Sequence, residues 1–456
     1  MKHDTPDLLS LNKCGRKNVY CSFDQPRMSS EGGMMAVREL LTGSSLIRDL
    51  AEAIDDKRHQ SYVDHSYFEL LLQRIGQILC GYADANDSNE LRKDPILKMF
   101  VGRDPSDEAD LGSQPTMNRF ENAVSRKDLY RMGEAILQYT LKSYTVAPKS
   151  IVIDMDPTAH RGYGAQQLLL FNTHVGGYCH MPFHVYEGAT GKLLAAIMRP
   201  GKTPDAREII TILKRLVKQI RKAYPKVTII FRADSHHAKP EVLDWLEDHR
   251  VDYIIGLAQN AVLNRMFEST QARAERQYKG TWKDAVSEVR QYDSGYYAAG
   301  TWRRQRRVIC RALSSVNGND RRYIVTSFKV AMPKYLYDTV YCGRGNAELF
   351  IKDHKLGTGS DRSSCISAEA NQFRLFLHSA AYIILHELRE KVLKNTKLEK
   401  ASFTKIILQL VKTAAVVEVK KTKIHIHFPK EYAHKDIFAK AVAINDGFQA
   451  GHKLPD

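Results

Sequence analysis

Two carboxylates two residues apart close an apolar segment, Ser150-Ile-Val-Ile-Asp-Met-Asp156, and a third closes another, Phe231-Arg-Ala-Asp-Ser235. An apolar, β-branched run reads as a strand, and period-two alternation sends Asp154 and Asp156 to the same sheet face. Carboxylates at strand ends of an α/β sheet are natural ligands for hard cations. A single such Asp also serves to cap the following turn. The same ending on two separate strands weighs toward the metal.

The segment Tyr341-Cys-Gly-Arg344-Gly-Asn-Ala-Glu348-Leu-Phe-Ile-Lys352-Asp-His-Lys355 is the third element. On a regular helix Tyr341, Arg344, Glu348, Lys352 and Lys355 fall within an arc of roughly 80°. A stripe of one phenol, three cations and one carboxylate is foreign to a core helix. It makes sense where the carboxylate holds a metal and its neighbours hold phosphates. Other chemistries fit poorly. Gly201-Lys202-Thr203 looks like the end of a phosphate loop, but Ala196 replaces its first glycine and Pro200 and Pro204 flank it. Cys179, His180 and His184 lack a second ligand pair with zinc spacing. His236 and His237 either touch a ligand or cover the site, and His425 and His427 read as surface residues.

The residues Tyr341, Arg344, Glu348 and Lys355 reproduce the spacing Tyr-x2-Arg-x3-Glu-x6-Lys. In this the chain resembles a group of bacterial insertion-sequence DDE transposases, over roughly residues 30 to 395. The resemblance implies that Asp156, Asp234 and Glu348 are the catalytic, metal-binding triad, with Asp154 as alternate to Asp156. It implies two Mg²⁺ (or Mn²⁺) ions, about 3.5–4 Å apart in such sites, and phosphate contacts from Tyr341, Arg344, Lys352 and Lys355. It further implies a ribonuclease-H-like core, cleavage of element ends through hairpin intermediates, strand transfer into target DNA, and a homodimer that synapses both ends. Relatives often place Asn after the Glu, where this chain has Leu349. Two other readings stay open: a metal-dependent nuclease of the same fold without strand transfer, and a non-catalytic DNA-binding protein descended from a transposase.

These residues need a scaffold. Helical spacing runs through 35–147, and residues 1–147 are expected to form a helical N-terminal DNA-binding domain. Within it, Pro115 suits a first helical turn, so Gln114, Thr116 and Arg119 are placed to face DNA. From residue 150 strands and helices alternate: Ser150–Asp156, Leu168–Thr173, Met181–Tyr186, Lys226–Arg232 and Tyr253–Gly256 as strands, with helices over 205–223 and 241–249. That is an α/β core, a mixed sheet with covering helices, split into 148–270 and 331–395 by a β-rich basic insertion over 271–330. Helices near 341–355 and 369–393 complete it, and 396–456 form a basic C-terminal region.

The 456 residues carry 68 Lys plus Arg against 52 Asp plus Glu, a formal charge of +16. The excess is +8 in residues 271–330 and +7 in 391–456, whereas 1–150 sum to −2. A polyanionic partner is expected, double-stranded DNA before a membrane. Trp302, amid Arg303, Arg304, Arg306 and Arg307, reads as a base-stacking residue beside a phosphate clamp, with Trp282 as a second candidate. Lys420, Lys421 and Lys423 extend the basic surface. Seven cysteines without a C-x-x-C pair, no secretory leader and no membrane-length apolar run point to a protein of a reducing cytoplasm, a bacterial one as the resemblance implies.

Overall fold

The computed structural model describes residues 9–280 and 287–451. At its centre lies an eight-stranded mixed sheet. Its strands in chain order are β1 (Ser150–Pro157), β2 (Phe183–Glu187), β3 (Leu193–Ile197), β4 (Thr228–Ala233), β5 (Asp252–Leu257), β6 (Glu288–Tyr297), β7 (Arg306–Ser315) and β8 (Gly318–Thr326). Across the sheet they run β6-β7-β8-β5-β4-β1-β2-β3. Only β1–β4 and β4–β5 are parallel pairs.

Alternation decides what each face carries. Ile151, Ile153 and Met155 of β1 and Ile229, Phe231 and Ala233 of β4 turn to one side. There they pack against two amphipathic helices, α4 (Ala206–Ala223) and α5 (Pro240–Asp248). The first helix is fixed by a reciprocal Asp205–Glu208 capping box and has Arg221 and Lys222 in its last turn. The even-numbered residues Asp154, Asp156 and Arg232 therefore belong to the opposite face.

Two expectations change at this level. Leu168–Thr173 is not a strand of the main sheet. Leu170–Asn172 pairs instead with Gly177–His180, which pairs with His160–Arg161, in a small sheet between β1 and β2. The segment 271–330 is not a separate insertion either. It begins within a helix, Glu268–Gly280, and its three strands continue the main sheet through the antiparallel β5–β8 pair. Unpaired edges of β5 are costly, and β8 covers one.

The N-terminal region is helical after an exposed hairpin (Leu9–Cys14 with Lys17–Cys21), but it does not own its core. Helix α1 (Tyr67–Leu79), α2 (Gln114–Glu121) and α3 (Arg126–Lys142) pack around α8 (Ala368–Glu387), which is buried nearly all round. Residues near the C-terminus enter the same core, among them Phe403, Leu410, Val411 and Val417. Gly32 and Gly33 donate backbone hydrogen bonds to Thr413 and Val411, and Met28–Ser29 pairs with Ala415–Lys420. A Cβ on Gly33 would sit 1.8 Å from the Leu410 carbonyl oxygen, so only glycine allows this approach. The boundaries drawn at 147 and 396 thus cut through one packed unit. Among the described residues no helix is long and apolar enough to cross a membrane.

Arg74 is fully buried in this unit and donates to Glu121 at 2.9 Å and to the Ala83 carbonyl. Replacing it by Met removes the Glu121 carboxylate's hydrogen-bonded partner and leaves it only Arg374, 3.8 Å away. Urea unfolding of Arg74→Met should show a loss of about 3–5 kcal/mol, much of it recovered in the double variant with Glu121→Leu.

Candidate active site

The site begins with an ion pair rather than with a metal ligand. Arg232 on β4 grips Asp154 on β1 in a bidentate pair, Nε–Oδ1 2.6 Å and Nη2–Oδ2 2.5 Å, with Asp154 fully buried. The remaining nitrogen, Nη1, donates at 2.6 Å to the Val340 carbonyl, one residue before Tyr341. A Cβ on Gly188 would meet this pair at 2.4 Å and one on Gly343 would meet Arg232 at 2.6 Å, so backbone closes around it on both sides. Both oxygens of Asp154 are engaged by Arg232. The alternate ligand of the sequence reading is an anchor for the signature helix.

That helix is not regular. From Tyr335 to Gly357 the chain stays helical, but its pitch changes: wide turns at Tyr335–Tyr341 and Asp353–Gly357 flank a tight turn, Cys342–Arg344, and the α-helix α7 (Gly345–Lys352). Such wide turns are frequent at functional sites. The five side chains consequently separate. The Tyr341 hydroxyl reaches over Gly256 of β5, where a Cβ would approach it to 2.7 Å. Arg344 Nη1 donates to Asp156 at 3.1 Å while its Nη2 lies 3.7 Å from Glu348. Lys355 turns down to the Ala159 carbonyl at 2.8 Å, just beyond Asp156. Glu348 and Lys352 are exposed.

The two strand-end aspartates sit in opposed environments. Burial raises the Asp156 carboxyl to about 6, the Arg344 guanidinium offsets part of this, and Asp234 and Glu348 push it further up. Asp234 is also burdened by burial, but hydrogen bonds to His237 (2.8 Å) and His236 (3.0 Å) hold it below the usual carboxylate range. Asp156 feels the charges of Asp234 and Glu348, and Arg344 feels all three, so β1, β4 and α7 bring them into one neighbourhood. His236 and His237, left undecided by sequence, are partners of Asp234. Among the described residues no three His, Cys, Asp or Glu side chains converge as a ready-made metal cluster. Arg344 bridges two of the three carboxylates and stands as the local cation. An all-oxygen donor set of three carboxylates suits a hard divalent ion. A cavity of about 440 Å³ lies elsewhere, between α3, β3 and α4.

Behind Asp156 the wall is built of histidines. His184 pairs across β2 with Asp156, and its ring lies 4.9 Å from His354 and 5.5 Å from His160. Tyr186 donates its hydroxyl toward His354 Nδ1 at 3.1 Å, and Tyr382 covers the group. Sequence reading had singled out His184 only as a poor zinc candidate.

The expected DNA contacts are scattered. Gln114, Thr116 and Arg119 lie on α2. Thr116 and Arg119 bond to each other and line a cavity of about 360 Å³ with Arg58 and Tyr67. Lys420, Lys421 and Lys423 stand exposed at the tip of the hairpin Ala415–Lys420/Lys423–His427. Trp302 requires a correction: it packs beside Tyr297 and under Arg306, on the sheet face turned away from the carboxylates. Its arginines face acids of α5, Arg306 with Asp244 and Glu247, Arg303 with Asp244 and Asp248, Arg304 with Glu247 and Asp248. Arg307 binds the Phe328 carbonyl. Acids distant in sequence neutralise what looked like a clamp. Trp282 lies outside the described residues.

The fold and these contacts define an α/β protein with carboxylates, two of them bridged by an arginine, where two parallel strands end. The sequence matches the family described as transposase DDE domain group 1 over residues 11–446. The chain belongs to that family, and it is a DDE-type transposase. No curated protein matches it. Among solved structures it is similar to the cryo-EM structure of a piggyBac transposase synaptic complex with hairpin DNA, at 10% identity and a TM-score of 0.40, covering 84% of this chain and 80% of that one.

Two predictions follow from the geometry. Asp154→Asn should cost about 3–5 kcal/mol in urea unfolding because Arg232 keeps its charge without a partner, whereas Asp156→Asn should leave stability within about 1 kcal/mol, its charge being opposed by burial. The second concerns acid. Burial pushes His184 down to about 3 and His386 to about 4, and lowers His160 and His354 as well. Above pH 6.5 neither folded nor unfolded chain protonates these rings; below it only the unfolded chain does. Stability should therefore fall between pH 7 and 5 by about 2 kcal/mol for each such histidine, read as a falling urea midpoint.

Proposed function

We propose that this transposase cuts the ends of its own element and joins them to target DNA through Asp156, Asp234 and Glu348, on a ribonuclease-H-like core. The observation that carries the reading is the placement of Asp156 and Asp234 at the ends of the adjacent parallel strands β1 and β4, with Arg344 bridging Asp156 to Glu348 on α7. DDE transposases generally use divalent metal ions, and two Mg²⁺ or Mn²⁺ ions held by these oxygens would activate the attacking water or 3′-hydroxyl and stabilise the leaving oxygen.

The chain's own groups then have separate tasks. Asp156, whose carboxyl burial raises to about 6, is largely ionised at neutral pH and would hold a cation in the place where Arg344 now stands. Arg344 would then be free to contact a phosphate oxygen, for which its planar fork is suited. Tyr341, seated over Gly256, and Lys352, exposed one turn from Glu348, contact the flanking phosphates. Lys355 stays on the loop after Asp156 and fixes its backbone. His236 and His237 hold Asp234 ionised. The exposed lysines of the 415–427 hairpin add long-range attraction for double-stranded DNA, sensitive to salt. Hairpin-ended intermediates, terminal inverted repeats as the recognised ends, a homodimeric synapse and action in the bacterial cytoplasm complete the proposal.

The test incubates the protein with labelled inverted repeats from the DNA flanking its gene, a target plasmid and Mg²⁺. Cut and joined products are expected. Asp156→Asn, Asp234→Asn and Glu348→Gln should each reduce cutting at least about 10²–10³-fold while leaving binding of the ends intact. Cutting without joining would assign a nuclease, and a Glu348→Gln variant as active as wild type would overturn the triad.

A further inference from the structure

The small sheet between β1 and β2 has no role in the chemistry described so far. It leaves β1 two residues after Asp156 and returns at Phe183, next to His184, which pairs with Asp156. Its root is tied to the site: Lys355 binds Thr158 and Ala159, and His180 Nε2 bonds the Gln167 carbonyl at 2.9 Å. Its far end carries Phe171 opposite Tyr178, two rings in a T-shaped pair at 5.5 Å that are 57% and 59% exposed. From Tyr178 to His184 the chain has six steps, so the pair lies within about 20 Å of His184 and, one strand spacing further, about 25 Å of Asp156.

Two further features set this sheet apart from a stray apolar surface. Residues 158–182 contain no Asp or Glu, in a chain with 52 of them, and their charged or titratable members are Arg161, His174 and other basic or neutral groups. Leu168, a bulky residue, is held at φ 66, in the left-handed region that such residues avoid. Neighbouring bonds enforce it: Gly201 donates to the Leu168 carbonyl and Gln167 to that of Ile366. Strain fixed in this way collects at ligand-binding segments.

We infer that Phe171 and Tyr178 form a stacking platform for unpaired bases of the DNA strand that enters the site. The inference rests on the reading of the chain as an enzyme that handles DNA ends. Aromatic faces accept any base, which suits a strand whose sequence is not read. The absence of carboxylates lets the phosphates that accompany those bases approach without repulsion. The platform takes the place that Trp302, packed on the other face, does not fill.

The experiment measures fluorescence anisotropy of a labelled 20-nucleotide oligothymidylate and of a labelled 20-base-pair duplex against the full chain. Phe171→Ala and Tyr178→Ala should each weaken single-strand binding roughly tenfold, with duplex binding and the urea midpoint unchanged. Phe171→Trp should retain it, and Trp302→Phe should bind as wild type. Single-strand affinity unchanged in both alanine variants overturns the platform. So does a loss of self-association in light scattering with unchanged single-strand binding, which reassigns the rings to a second copy of the chain. Wild-type protein that binds the oligonucleotide but never cuts element ends in Mg²⁺ refutes the proposed function and leaves the platform standing. Wild type that cuts, with alanine variants that bind single strands equally well, refutes the platform alone.

Discussion

The Asp154–Arg232 pair is the constraint from which the site follows. It joins the two parallel strands that end in Asp156 and Asp234, and through the Val340 carbonyl it fixes where the helix bearing Glu348 begins. Three elements far apart in the chain are thus referenced to one guanidinium. A planar group with five donors can do this and a lysine cannot. The pair is buried, so neither member can find water as a substitute. The arrangement is therefore held in register wherever the fold is intact.

Around that anchor the electrostatics are deliberately uneven. Asp156 is raised by burial and by its fellow carboxylates, Asp234 is lowered by two histidines, and the wall behind them is neutral imidazole and phenol. A neutral wall keeps water from screening the charges in front of it. It also makes Arg344 the principal local counter-charge to Asp156. The wide turns on either side of α7 let Tyr341, Arg344 and Lys355 reach three different targets, which a uniform helix would have aligned in one row.

The sequence disclosed the parts whose information is local. Strand ends with Asp154, Asp156 and Asp234 were legible because alternation and β-branching declare a strand, and the chain does fold those segments as parallel neighbours. The Tyr341–Lys355 stripe was legible as unusual, though not the changes of pitch, which depend on what the helix packs against. Partnerships between distant segments were hidden. Arg306 looked like a DNA ligand because Asp244 and Glu247 stand some sixty residues away, and Asp154 looked like a metal ligand because Arg232 is on another strand. The domain limits failed for the same reason: helical periodicity marks the N-terminal region, but not that its apolar faces close on Leu410 and Val417.

That last closure has a temporal side. Met34 and Val417 belong to one core, yet a ribosome adding about 5–20 residues per second needs roughly 20–80 s to pass from one to the other. Through that interval α1, α3 and the partners of α8 have no finished surface to settle on. A nascent or prematurely ended chain holds both aspartates and still lacks the packing that seats the glutamate helix. The shared core closes late in synthesis, so a prematurely ended chain lacks the packing beneath the helix that carries Glu348.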